Sequence, residues 1–149
     1  MGGAARDERL DRLETFVGRW RLTMRNAWFL EPPGREVPGS AGGEWLDDAF
    51  VVFRWSLDED VAPATRDNVM VFGLAGESYA ALYHDERGVG RLFDMTIDDA
   101  GWRLVREDAD MHQRFVGELG PDRITGRWEA SDDQGATWRT DLELELVRA

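Results

Sequence analysis

The sequence predicts an all-β fold: a closed up-and-down antiparallel barrel of about ten strands, calycin-like in plan, with one N-terminal helix plugging one end. Three observations carry this reading. A single short amphipathic segment runs directly into Gly18-Arg19-Trp20. The rest of the chain divides into strand-length segments, several with clear period-two patterning. Clusters of Gly, Pro and Asp separate those segments at the spacing of a meander. A closed barrel has an interior, so a cup for a small molecule follows from the fold as a functional expectation.

At 149 residues the chain can bury a sizeable core, and it reads as one domain over 1–149, with the helix at about 7–17 and the barrel at about 18–148. Asp7 is placed to cap the helix, Leu10, Leu13 and Val17 give it a narrow apolar stripe, and Gly18 stops it. In the first strand Trp20, Leu22, Met24, Asn26, Trp28 and Leu30 alternate with Arg19, Arg21, Thr23, Arg25 and Ala27. In the last, Trp138, Thr140, Leu142, Leu144 and Leu146 alternate with Arg139, Asp141, Glu143 and Glu145. Between them lie segments at 43–47, 49–57, 67–74, 78–84, 89–97, 101–107, 111–118 and 122–130. The dividing turns include Ala75-Gly76, Arg87-Gly88, Asp99-Ala100-Gly101, Gly120-Pro121-Asp122 and Asp132-Asp133-Gln134-Gly135. An even strand number lets the first and last strands pair antiparallel and removes both sheet edges. A sandwich is the alternative.

Successive connections of a meander alternate between its ends. One end receives 31–42, 58–66, 85–88, 108–110 and 131–136. The other receives tighter turns near 48, 75–77, 98–100 and 119–121, together with the helix. The helix should therefore plug the tight end, leaving the mouth under the Pro/Gly-rich segment from Glu31-Pro32-Pro33-Gly34 to Gly42-Gly43, the expected gate.

Composition removes several classes of function. A formal net charge of −12 argues against nucleic acid or an anionic membrane as partner, because neutralising phosphate needs clustered basic residues. The expected partner is a small molecule, with a homodimer also open. Without cysteine there is no disulfide, thiolate nucleophile or Cys-ligated zinc. No signal-peptide-like apolar stretch lies in Met1 to Arg9 and no run of eighteen apolar residues occurs, so a cytoplasmic location is the default expectation.

Val17-Gly18-Arg19-Trp20, Glu44-Trp45-Leu46, Phe53-Arg54-Trp55, Asp85-x-Arg87-Gly88, Gln113-Arg114-Phe115 and Thr125-Gly126-Arg127-Trp128-Glu129 follow one another along nearly the whole chain. That ordered set resembles an uncharacterised bacterial family of lipocalin-like barrels. The resemblance implies a calycin-type barrel related in architecture to fatty-acid-binding proteins and nitrobindins. It also implies that Arg148 stacks on Trp20 at the closed end. Nitrobindins hold haem through a His on the final strand, and here Val147 stands at that place, which argues against haem because an aliphatic side chain offers iron no lone pair. No other cofactor is expected.

Strand parity puts Asn26, Trp28, Trp55, Tyr83, Arg91, Arg106, Gln113, Trp128, Trp138 and Thr140 in the mouth half of the interior, above mostly aliphatic residues. Such a gradient suits a ligand with an apolar body and an anionic head, the head meeting Arg91, Arg106, Gln113 or Tyr83. The alternative has these arginines facing solvent or paired with Asp94 and Glu107, and the tryptophans serving as core. His84 and His112 take the outward parity, and two histidines alone make a poor metal site. The acidic runs Asp58-Glu59-Asp60, Asp98-Asp99, Glu107-Asp108 with Asp110, and Asp132-Asp133 read as solvated turns. Ser131-x-Asp133-x-Gly135-x-Thr137-Trp138 is similar to the Asp-box of sialidases, which implies a rigid hairpin and no catalytic meaning.

Binding without chemistry is the leading functional expectation. The second is an isomerase, cyclase or hydrolase acting on an apolar metabolite, with Tyr83, His84, Asp94 or His112 as acid or base and Arg91 or Arg106 stabilising negative charge. No nucleophile, His and acid order supports it. Haem-dependent nitrogen-oxide chemistry and a barrel filled solid by Trp28, Trp55 and Trp128 complete the alternatives.

Overall fold

The structure, a computed structural model, describes residues 6–99 and 101–149. It opens with a helix over Glu8–Phe16, capped by Asp7, whose carboxylate accepts from the Arg9 backbone N–H at 3.0 Å. This helix winds as a 3₁₀ helix, with three residues per turn, so Leu10, Leu13 and Phe16 stack on one face and are buried. The α-helical spacing expected Val17 in that stripe. Instead Val17 takes extended dihedrals and ends the helix, while Gly18 turns the chain into the first strand at φ +116°.

Ten antiparallel strands follow: β1 (Gly18–Arg25), β2 (Val37–Leu46), β3 (Phe50–Leu57), β4 (Asp67–Ala75), β5 (Ser78–Asp85), β6 (Gly90–Ile97), β7 (Trp102–Glu107), β8 (His112–Leu119), β9 (Arg123–Ser131) and β10 (Arg139–Arg148). Each pairs with its sequence neighbour, and β1 pairs with β10 from Trp20↔Arg148 to Arg25↔Glu143, closing the barrel. The loops over 26–36 and 58–66 lie at the open end, and the helix lies at the other.

Two strand boundaries differ from the sequence pattern by several residues. β1 stops at Arg25 because Asn26 adopts φ +53° and turns the chain away, which takes Asn26 and Trp28 out of the strand. β2 begins at Val37, so part of the expected gate is strand and only 26–36 remains loop. The glycines that suggested a loop are there for close packing. A Cβ on Gly39 would lie 2.2 Å from the Ser56 carbonyl oxygen, and one on Gly43 would lie 2.2 Å from that of Phe16.

The core fills the helix end. Phe16 lies 4.8 Å from Phe72, 4.9 Å from Trp102 and 5.9 Å from Phe53, measured between ring centroids. Burying each such ring contributes about 1.5–3 kcal/mol, so the short helix is held by its apolar face rather than by its own hydrogen bonds. Arg148 locks this end from outside. Its guanidinium stacks 3.9 Å above the Trp20 ring and donates to the carbonyls of Thr15, Val17 and Pro121, taking up free acceptors at the end of the helix.

Candidate ligand site at the open end

Toward the mouth the packing opens into a cavity of about 280 Å³. Trp55 and Trp128 form its floor, between it and an apolar void of about 30 Å³ lined by the core below. Both positions follow from parity: Trp128 stands opposite Phe115 on β8 and Leu142 on β10, all facing inward. Trp128 packs 5.4 Å from Phe93 and 5.1 Å from Phe115, and Trp55 lies 6.1 Å from Tyr83. The tryptophans line the interior without filling it.

One wall is polar and cationic. Arg91 on β6 pairs with Tyr83 on β5, and Gln113 on β8 pairs with Arg106 on β7, so the barrel sets these four side by side. Gln113 Oε1 accepts from Arg91 Nη1 at 3.2 Å and from Arg106 Nη1 at 3.1 Å. Two guanidinium donors fix the amide, leaving its NH₂ free to donate. Arg106 itself does not line the cavity; it ties back to Asp108 at 2.7 Å and acts through Gln113. Arg91 is half-buried, lines the cavity and forms no ion pair among the described residues.

Tyr83 is buried and anchored from behind. Its hydroxyl lies 2.6 Å from Asp85 Oδ2 and 3.0 Å from Asn68 Oδ1. Burial first, and then the bond to Asp85, push its pKa up to about 12, so it stays a neutral phenol. The Asp85 side chain is fully covered and also accepts from the Arg87 N–H and guanidinium at 2.6–3.1 Å, which holds it well below the usual carboxylate range. Asp85-x-Arg87-Gly88 is thus the turn that positions Tyr83.

Six of the ten expected residues line the cavity: Trp28, Trp55, Tyr83, Arg91, Gln113 and Trp128. Trp28 does so from the rim loop, 68% exposed and edge-on to Phe29 at 5.5 Å. Asn26 lies outside, donating to Glu143 at 2.8 Å. Trp138 and Thr140 also fall outside. Between Thr140 and Leu142 the β9–β10 register shifts by one residue, a bulge that reverses the parity of everything before it. Trp138 therefore packs on the outer surface, 3.9 Å beneath the Arg114 guanidinium. It closes the hairpin over 131–138, in which Ser131 Oγ accepts from Gly135 N and Asp133 from Thr137 N, each at 2.8 Å.

The same bulge brings in a residue that alternation had assigned to the outside. Asp141 lines the cavity, half-buried, and its carboxylate accepts no hydrogen bond among the described residues. Its neighbouring cation is Arg139, whose Nε lies 3.8 Å from Oδ1. Burial pushes its pKa upward. Asn68 and Thr65 also line the cavity. Asn68 shares the inward parity of Met70 and Phe72, a signal present in the sequence.

Neither histidine lines the cavity: His84 is exposed and His112 half-buried elsewhere. Val147 is 41% exposed, opposite Arg21 on the outer face. The cavity lining therefore contains no imidazole for a haem iron. No group of three or more His, Cys, Asp or Glu side chains suited to a metal ion occurs among the described residues, and no helix there is long and apolar enough to cross a membrane.

No protein-family model matches the chain, and no curated protein does. Among solved structures it is similar to the crystal structure of Rv2717c from M. tuberculosis, at 10% sequence identity and a TM-score of 0.64, over 97% of this chain and 99% of that one. At that identity the likeness is one of fold alone.

Proposed function

We propose that this protein binds a small amphipathic molecule in the open half of its barrel, with an apolar ring body against Trp55, Trp128 and Phe93 and an anionic head at Arg91 and Gln113. One observation carries the reading. Arg91 is a half-buried cation on the wall of an aromatic cavity, held in place by Gln113 and unneutralised by any carboxylate among the described residues. In a protein with a net charge of −12, leaving one inward arginine unpaired marks it for an incoming anion.

The Tyr83 hydroxyl is committed to Asp85 and Asn68, and the cavity lining holds no nucleophile activated by a histidine, so binding rather than turnover is the reading that the lining supports. 2-Naphthoate, a two-ring body with a carboxylate, tests it by isothermal titration calorimetry on the full chain. Saturable one-to-one binding is expected, weakened about 10- to 100-fold in Arg91→Met, the loss of a charge-assisted hydrogen bond. Absence of saturable binding, or equal affinity in the variant, contradicts the proposal.

A further inference from the structure

Two charged groups face the same cavity without neutralising each other. Arg91 stands on β6 and Asp141 on β10, four strands apart in a closed ring of ten, so they occupy nearly opposite walls of the mouth. No ion pair links them. Carboxylates out of water normally collect two or three donors, and Asp141 has none within hydrogen-bond distance among the described residues. The chain holds it there by a specific device, the bulge between Thr140 and Leu142, without which alternation from Leu142 would turn position 141 outward.

Resting on the binding proposal above, we infer that the ligand is amphoteric: besides the anionic head taken by Arg91 it carries a protonated amine on its far side, received by Asp141. The floor between the two walls is aromatic, so the two charges are borne at opposite ends of a flat apolar body. Arg139 at 3.8 Å and the neighbouring Asp132 are the other charged groups facing Asp141. Arg139 gives its hydrogen bond to Asp132 at 2.5 Å and meets Asp141 only through the longer 3.8 Å ion pair, so the Asp141 carboxylate keeps its hydrogen-bonding capacity for the amine.

Calorimetry with 2-naphthoate, 2-(aminomethyl)naphthalene and 6-(aminomethyl)-2-naphthoate separates the two charges. The amphoteric compound is expected to bind about tenfold more tightly than 2-naphthoate, as one further charge-assisted hydrogen bond requires. Asp141→Asn should abolish that advantage, bringing the affinities of the two compounds to within about twofold of each other, and a cooperative thermal unfolding transition verifies the fold of the variant. If 2-naphthoate binds as tightly as the amphoteric compound, or if the variant keeps the advantage, the inference fails and the anion site stands. If none of the three binds, both fail together.

Discussion

At the scale of single residues, the site is built from groups whose usual partners have been withheld. Asp85 shows the ordinary arrangement, a covered carboxylate saturated by Arg87 and Tyr83. Asp141 shows the reverse, and its raised pKa turns the difference into a measurable one. A carboxyl whose folded pKa lies above its unfolded value of about 3.9 favours folding when protonated; that contribution is present below the unfolded pKa and lost as pH rises through the folded one. Asp141→Asn removes the penalty on the ionised form. Thermal unfolding should therefore show the variant with a higher Tm than the parent chain at pH 7 and an equal one near pH 3. A lower Tm at pH 7 would mean that Asp141 is satisfied and structural. Such a gain is the expected signature of a residue kept for binding at the expense of stability.

At the scale of elements, the helix and the barrel are joined by a few close contacts at the tight end. Arg148 stacks on Trp20 and donates to three carbonyls, two of them from the last turn and end of the helix. Losing a cation–π contact and charge-assisted bonds puts Arg148→Ala at about 2–3 kcal/mol of destabilisation by chemical denaturation. Binding of 2-naphthoate at the far end should persist in the folded fraction, and a change below about 0.5 kcal/mol would show that the plug is held by its apolar face alone. The elements themselves were largely legible in the sequence, because alternation marks β1 and β10 and Gly, Pro and Asp mark the turns. What the pattern missed has physical causes. Gly39 and Gly43 look like loop residues but permit a strand to pass within contact of Ser56 and Phe16, a tertiary constraint invisible in a one-dimensional pattern. The bulge in β10 inserts one residue without any turn chemistry, so parity placed Trp138 and Thr140 inside and Asp141 outside, the reverse of what is found. Phe16 replaced Val17 in the helix stripe because a 3₁₀ winding has a different period.

At the scale of the whole molecule, the barrel divides into a half that is packed and a half that is not. The helix, Phe16, Trp20, Phe72 and Trp102 fill one end, and the meander places its longer loops around the other. Gly18-Arg19-Trp20 belongs to the filled end, so it announces the fold without taking part in the site, and the wall of Arg91 and Gln113 had to be located by strand register. The seven tryptophans report on this division individually. Trp28, Trp55 and Trp128 line the cavity, whereas Trp20, Trp45 and Trp138 lie away from it. A two-dimensional ¹H–¹⁵N NMR titration of the full chain with 2-naphthoate, with the indole N–H signals assigned, is the most direct test of a ligand site in the open half. The indole signals of Trp28, Trp55 and Trp128 should shift together and saturably while those of Trp20, Trp45 and Trp138 hold still; shifts confined to the latter three, or none that saturate, would contradict a binding cavity at the mouth of the barrel.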